Sequence, residues 1–269
     1  MKRVMSSITL AMALMIIGII NISAQEDSSS VYVLVHGAFQ DEAGWDSIVT
    51  TLEDAGEIVI TVQSPGRGDD PTPAHEQSLI GYRDNVIDVI SAQSQPVILV
   101  GHSFGGIVIS EVAEAIPEQI ETLVYLAAYL PQSGDSLLSL SEYEHNSVLG
   151  EPGNLIVSDD STVASINTDI FASAFCPDCD EEQAEFVSES QVDEPLIPLA
   201  TPVNLTDDNF GSVEKVYILT AEDIVVSPQL QVFMLSRTPV DHVFALNTGH
   251  AAYITDPVGI AAILMQFSE

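Results

Sequence analysis

Val97-Ile98-Leu99-Val100-Gly101-His102-Ser103-Phe104-Gly105-Gly106 is the stretch on which the reading of this chain turns. Its apolar start has the composition of a buried strand, and the strand runs straight into Gly-x-Ser-x-Gly. From about Ser103 to Ala115 the pattern is that of a helix. A serine on so tight a strand-to-helix turn is held in a strained conformation with its hydroxyl exposed above the sheet. Gly101 and Gly105 remove side chains that would collide in that turn. The helix N-terminus aims backbone N–H groups, that of Phe104 among them, towards a developing negative charge. Gly-x-Ser-x-Gly is a weak signal by itself; its place between this strand and this helix gives it weight. The segment does not spell Gly-x-Gly-x-x-Gly, and no dinucleotide or phosphate fingerprint occurs elsewhere.

Outward from this core, short β-rich apolar runs alternate with longer helical stretches. Strands are expected at Val31 to His36, Glu57 to Val62, Pro96 to Gly101, Glu121 to Ala127, Lys215 to Thr220 and His242 to Leu246. Helices are expected at Trp45 to Ala55, Gln77 to Ala92, Ser103 to Ala115 and Val258 to Phe267. Such alternation predicts an α/β fold with a parallel sheet covered on both faces. The stretch from about 131 to 206 breaks the rhythm. It is rich in Ser, Asp, Glu and Pro, with weak helical pattern only at Ser136 to Tyr143 and Glu181 to Ser188. A loop of that length inside a domain is usually a functional insertion, and a lid over the carboxyl ends of the strands is expected here.

A hydroxyl nucleophile needs a base, and the base an orienting acid. In chain order these follow the serine as acid and then histidine. The strand ending at Thr220 runs into Ala221-Glu222-Asp223, so either carboxylate can stand at the active edge of the sheet. The next strand leads through Asn247-Thr248-Gly249 to His250, which brings an imidazole to the same edge. At the end of the first strand, His36-Gly37-Ala38 forms a tight turn that offers the Ala38 N–H as a second oxyanion donor. His36 and His102 read as structural, and His75, His145 and His242 as solvated or at best substrate-facing. The acidic runs Asp159-Asp160 and Asp180-Glu181-Glu182 read as solvated surface rather than metal ligands.

The first residues have the layout of a secretory leader: Lys2 and Arg3, an uncharged apolar run from Ile8 to Ile20, then Asn21-Ile22-Ser23-Ala24. The run falls short of the ~20 residues a spanning helix needs. Residues 1–25 are therefore expected to be a cleaved signal peptide and residues 26–269 a single domain, secreted or periplasmic, with no stable membrane insertion. Forty acidic residues face six basic ones, for a formal charge of −34. Two of the six lie in the leader, which leaves Arg67, Arg83, Lys215 and Arg237. Charged residues are only 17 % against ~25 % in ordinary domains, so the imbalance is mainly a shortage of cations. Such a surface excludes nucleic acid as a partner and disfavours anionic substrates. A saline habitat and lineage bias account for it equally well. Cys176-Pro177-Asp178-Cys179 lies in the acidic insertion without the thioredoxin-like unit a redox motif wants. A local disulfide is open to it in an oxidising compartment, and a zinc site lacks two further ligands.

Taken together, Val35-His36-Gly37-Ala38, Gly101 to Gly106, Tyr217 to Asp223 and Gly249-His250-Ala251 resemble one branch of the α/β hydrolases. That branch includes plant methylesterases, hydroxynitrile lyases and many bacterial carboxylesterases. Ser64 to Pro73 and Thr201 to Thr206 are similar to its bacterial members. The likeness spans nearly the whole chain beyond the leader and is loose in the lid. It implies the α/β-hydrolase fold, with a mostly parallel, doubly covered sheet and an inserted lid. It also implies a catalytic triad of Ser103, His250 and Asp223, the acid standing in a Thr-x-x-Asp context that favours Asp223 over Glu222. The implied oxyanion donors are the Ala38 and Phe104 amides. Hydroxynitrile lyases of the branch carry lysine after the catalytic histidine and threonine after the first-strand histidine, where this chain has Ala251 and Gly37. Those departures argue for hydrolysis of a small neutral carboxylic ester through an acyl-enzyme, without metal or cofactor. Phe39, Trp45, Tyr125 and Leu138 are candidates for an apolar substrate pocket. The rivals are a lyase or carbon–carbon bond hydrolase on the same triad, and a non-catalytic ligand-binding protein of the same fold.

Overall fold

A computed structural model describes residues 29–68 and 70–268; the expected signal peptide lies outside them. Within that range the first half lays down four strands and three helices. They are β1 (Val31–Val35), α1 (Asp46–Asp54), β2 (Ile58–Val62), α2 (Leu79–Ser91), β3 (Val97–His102), α3 (Gly105–Ala115) and β4 (Ile120–Leu126). An insertion follows, with α4 (Leu137–Ser141), β5 (Leu155–Val157), β6 (Val163–Ile166), α5 (Phe171–Phe175), α6 (Glu181–Glu189), β7 (Glu194–Pro195) and α7 (Leu196–Ala200). The chain returns with β8 (Glu214–Thr220), α8 (Pro228–Arg237), β9 (His242–Leu246), α9 (Ala252–Thr255) and α10 (Pro257–Leu264).

Six strands form one sheet in the order β2-β1-β3-β4-β8-β9. Every pairing in it is parallel, with Val33 opposite both Ile60 and Leu99, and Tyr125 opposite Gly101 and Tyr217. The central strands β1, β3 and β4 are apolar on both faces because helices cover both. α1 packs with α9 and α10, and α2 packs with α3. The edge strands β2 and β9 are less covered, leaving Ile58 and Val243 about half exposed. Successive strands leave β1 in opposite directions, first to β2 and then to β3. The crevice above the carboxyl ends at that switch is where ligands bind in sheets of this kind.

All six sheet strands lie within a residue or so of their expected limits. The helices differ more at their ends: α2 and α3 each begin two residues later than expected. The first helical stretch opens as a 3-10 turn at Glu42–Trp45, and the last closes as one at Met265–Phe267. The insertion holds more structure than its sequence suggests. β5, β6 and β7 make a small antiparallel sheet, whose strands of two to four residues are too short for alternation to register. Their β5–β6 turn is pinned by Asp160, which accepts from Ser158 Oγ and Thr162 Oγ1 at 2.7 and 2.8 Å. Among the described residues no helix is long and apolar enough to cross a membrane.

Candidate active site

Ser103 sits between β3 and α3 with φ at +53°, a left-handed backbone unusual for anything but glycine. The turn that imposes this is crowded. A side chain on Gly101 would reach Gly105 at 2.7 Å, and one on Gly105 would reach the Val35 carbonyl at 2.6 Å. Neighbouring backbone locks the serine: its N–H donates to Leu126 O (3.2 Å), and its carbonyl accepts from Gly106 N (3.1 Å) and Tyr129 N (3.0 Å). The side chain lines a cavity of about 710 Å³.

His250 follows β9 and is fully buried. Its Nδ1–H donates to Asp223 Oδ2 at 2.8 Å, leaving the Nε2 lone pair without a partner among the described residues. That is the tautomer a base needs in order to take a proton at Nε2. Asp223 itself is buried and well held. Its Oδ1 accepts from Val225 N and Val226 N (2.8 and 2.9 Å), and its Oδ2 from Thr220 Oγ1 (3.0 Å). Glu222 is exposed and takes no part in the cluster. His102, adjacent to Ser103, donates from Nε2 to the His250 carbonyl (3.1 Å), and the two rings lie 4.5 Å apart. Burial first, and the neighbouring His250 second, hold the His102 imidazole well below its usual pKa. Behind His250, the Cys176–Cys179 disulfide closes a turn at the end of α5. Ala251 N donates to Phe175 O (2.8 Å), and Pro177 packs so close to Gly249 that a side chain there would reach it at 2.5 Å.

On the other side of the serine, the β1 turn is equally fixed. His36 donates from Nδ1 to Gly37 O (2.8 Å) and accepts Ser64 N at Nε2 (3.1 Å), which sets its tautomer. Burial, assisted by the Arg67 charge, lowers its pKa to about 3, so it stays neutral. Among the described residues neither the Ala38 nor the Phe104 amide donates to a protein acceptor. Both are therefore available to an oxyanion beside Ser103.

The cavity walls are mostly apolar. Phe39, Leu137, Leu138, Leu149, Phe175, Leu196, Leu199 and Val225 contribute, and Glu144, Glu151, His145 and Tyr129 are its ionisable members. Among the described residues no Lys or Arg lines it. Ser103, Ala38, Phe39 and Leu138 thus meet at one cavity. Trp45 and Tyr125 do not reach it and correct the expectation for them. Trp45 is core, packed on Tyr253 and edge-on to His102. Tyr125 lies within β4, stacks on Tyr217 and hydrogen-bonds Ser110 Oγ of α3 at 2.8 Å. Two residues that sequence reasoning passed over stand beside the β1 turn: Arg67 and Glu194, a fully buried ion pair. Glu194 was indistinguishable from the many carboxylates around it. Among the described residues no group of three or more His, Cys, Asp or Glu is disposed to hold a metal ion.

Comparison with known proteins bears on this geometry. A model of the alpha/beta hydrolase family matches residues 32–263. Putative methylesterase 11, chloroplastic, of Arabidopsis thaliana is 26 % identical over 248 residues, covering 88 % of this chain and 64 % of the relative. The chain thus spans less than two thirds of that relative's length. Methylesterase 7 of the same plant is 25 % identical over 260 residues, covering 91 % of this chain and 98 % of the relative. A pyrethroid hydrolase crystal structure superposes with a TM-score of 0.79 at 24 % identity, over 90 % of this chain and 98 % of that one. At that identity the likeness speaks to the fold.

Proposed function

The chain belongs to the alpha/beta hydrolase family, and from that premise we propose that it is a serine hydrolase that cleaves neutral carboxylic esters through an acyl-enzyme on Ser103. The observation that carries the reading is Ser103 itself, held left-handed where it lines a mostly apolar cavity, with the Ala38 and Phe104 amides free of protein acceptors among the described residues. In the proposed cycle His250 Nε2 takes the Ser103 proton as Oγ attacks the ester carbonyl. The Ala38 and Phe104 N–H groups receive the oxyanion. Asp223 holds the imidazolium, which returns the proton to the departing alcohol. Water, deprotonated by the same histidine, then releases the acid and frees Ser103. The methylesterase relatives support ester cleavage as the reaction.

The cavity supports a substrate class. At about 710 Å³ with mostly apolar walls it suits an ester with bulky apolar groups. With carboxylates and no cation among its lining residues, it offers an anionic substrate no counter-charge. A leader at residues 1–25 and action outside the cytoplasm belong to the same proposal. The Cys176–Cys179 disulfide supports an oxidising compartment.

The test is hydrolysis of p-nitrophenyl acetate, butyrate and octanoate, together with a p-nitrophenyl ester bearing a free carboxylate. We expect turnover of the neutral esters, rising from acetate towards the longer acyl chains, and at least tenfold lower kcat/KM for the anionic one at low salt. Failure of the folded protein to turn over any neutral ester contradicts the reaction. Preference for the anionic ester contradicts the substrate class.

A further inference from the structure

The turn that carries Ala38 is held from two sides, and only one of them belongs to the sheet. On the sheet side His36 ties Gly37 O. On the other side the insertion ties Phe39 at both ends of the residue: Val192 N donates to Phe39 O (2.9 Å), and Phe39 N donates to Glu194 Oε2 (3.1 Å). Between these tied groups, the Ala38 N–H is left without an acceptor among the described residues. Phe39 has φ at +66°, a conformation that a phenylalanine keeps only when its surroundings impose it. The surroundings here are Val192 and Glu194.

Glu194 is an unusual choice for such a clamp, since its side chain is 0 % exposed. A buried carboxylate persists only when it is paired and hydrogen-bonded. Arg67 Nη2 pairs with the same Oε2 that receives Phe39 N, and Tyr82 OH approaches Oε1 at 3.4 Å. Arg67 is nearly as dry, its side chain 4 % exposed, and has no other carboxylate partner among the described residues. Burial draws the Glu194 carboxyl upward while Arg67 opposes it. A neutral hydrogen bond would have satisfied one backbone amide at less cost. An ion pair has a further consequence. It joins a residue of β7, in the insertion, to the turn after β2 and to the turn after β1 in a single dry contact.

Resting on the hydrolase reading, we propose that Glu194 is a positioning residue for acyl transfer: from within its ion pair with Arg67 it holds Phe39 in the left-handed turn that aims the Ala38 amide at the oxyanion. It does not touch the substrate. Its effect falls on the transition state, because an amide displaced by a fraction of an ångström still tolerates the neutral ester but not the developing charge. The insertion thereby does more than wall the cavity; seated, it completes the oxyanion site.

Two conservative variants separate positioning from mere support. Glu194→Asp keeps the charge opposite Arg67 but is one methylene shorter. The flexible Arg67 side chain can follow the retreating carboxylate, whereas the Phe39 backbone cannot. Glu194→Gln keeps the length and an acceptor for Phe39 N but leaves Arg67 unpaired. We expect Glu194→Asp, which leaves the buried Phe39 N–H without its acceptor, to melt a few degrees below wild type with kcat about tenfold lower and KM little changed, since small misplacements cost up to 10²-fold. Glu194→Gln should melt lower still yet retain more of kcat. The second readout is the rate at which diethyl p-nitrophenyl phosphate labels Ser103, whose P=O oxygen uses the same donors; it should slow in the same order. A Glu194→Asp enzyme with wild-type kcat and labelling rate overturns the proposal, whether or not Glu194→Gln folds. So does a kcat ranking that simply follows melting temperature. If wild type is inert to both ester and phosphate, the hydrolase reading fails and takes this proposal with it. An active wild type with an unslowed Glu194→Asp overturns this proposal alone.

Discussion

Ser103 stands in a backbone conformation that costs a residue other than glycine on the order of 1–3 kcal/mol, and the surrounding turn has no slack to release it. Strain maintained at a residue with a nucleophilic hydroxyl, in a cavity, points to chemistry rather than to folding. The same holds for the buried Asp223–His250 pair, whose carboxylate fixes the ring by Nδ1 and leaves Nε2 open. Asp223→Asn keeps the shape but can present its amide N–H to Nδ1, which favours the wrong tautomer. We expect kcat for p-nitrophenyl butyrate to fall roughly 10³–10⁴-fold, with the melting temperature shifted by only a few degrees. A loss under tenfold contradicts the role given to Asp223. These positions were legible in the sequence because each follows a strand of the sheet, and a parallel sheet delivers all its strand ends to one side. The Arg67–Glu194 pair was not legible. Its members lie 127 positions apart, and nothing local marks either as buried. Trp45 and Tyr125 misled for a related reason: size and apolarity suit a pocket wall and a core equally, and only the fold decides.

At the scale of elements, the site depends on how closely α3 approaches the segment after β4. Tyr129 N holds the Ser103 carbonyl, and Ala127 turns the chain with φ at +46° to bring it there. A side chain on Gly106, in the first turn of α3, would fall on the Tyr129 carbonyl oxygen and close to Ala128 Cβ. Backbone cannot yield as a side chain can, so Gly106→Ala should destabilise by about 2–3 kcal/mol, read as a lower urea midpoint. It should also slow ester turnover, because Tyr129 would no longer seat Ser103. An unchanged midpoint contradicts the packing described. The sheet strands and the longer helices α1, α2, α3 and α10 were readable from their apolar pattern, whereas α5, α7 and α9, of four or five residues, are too short to show one. The insertion's small sheet was not, because its strands are too short, and the Cys176-Pro177-Asp178-Cys179 turn revealed its place behind His250 only in three dimensions.

For the molecule as a whole, the buried histidines carry a response to acid. His36 is neutral in the fold with a pKa of about 3, against 6.5 when unfolded, and His102 is shifted the same way. Between those values the unfolded chain takes up protons that the folded one refuses, so stability is present above pH 6.5 and is lost as pH falls towards 3. For His36 alone the loss from pH 7 to pH 5 is about 2 kcal/mol. Glu194, raised by burial, acts with the opposite sign, one group against two. In 1 M NaCl, where the screening length is about 3 Å and carboxylate repulsion is suppressed, the melting temperature should be lower at pH 5 than at pH 7. An equal or higher value at pH 5 contradicts the neutral, buried state of these histidines. The central claim is that one serine does the chemistry, and covalent labelling tests it most directly. Purified protein is treated with diethyl p-nitrophenyl phosphate, the released p-nitrophenolate is counted, and the modified peptide is identified by mass spectrometry. The account predicts a single diethylphosphoryl group per chain, on Ser103, and none on folded Ser103→Ala. A folded wild type that takes up no label, or takes it up equally after Ser103→Ala, contradicts it.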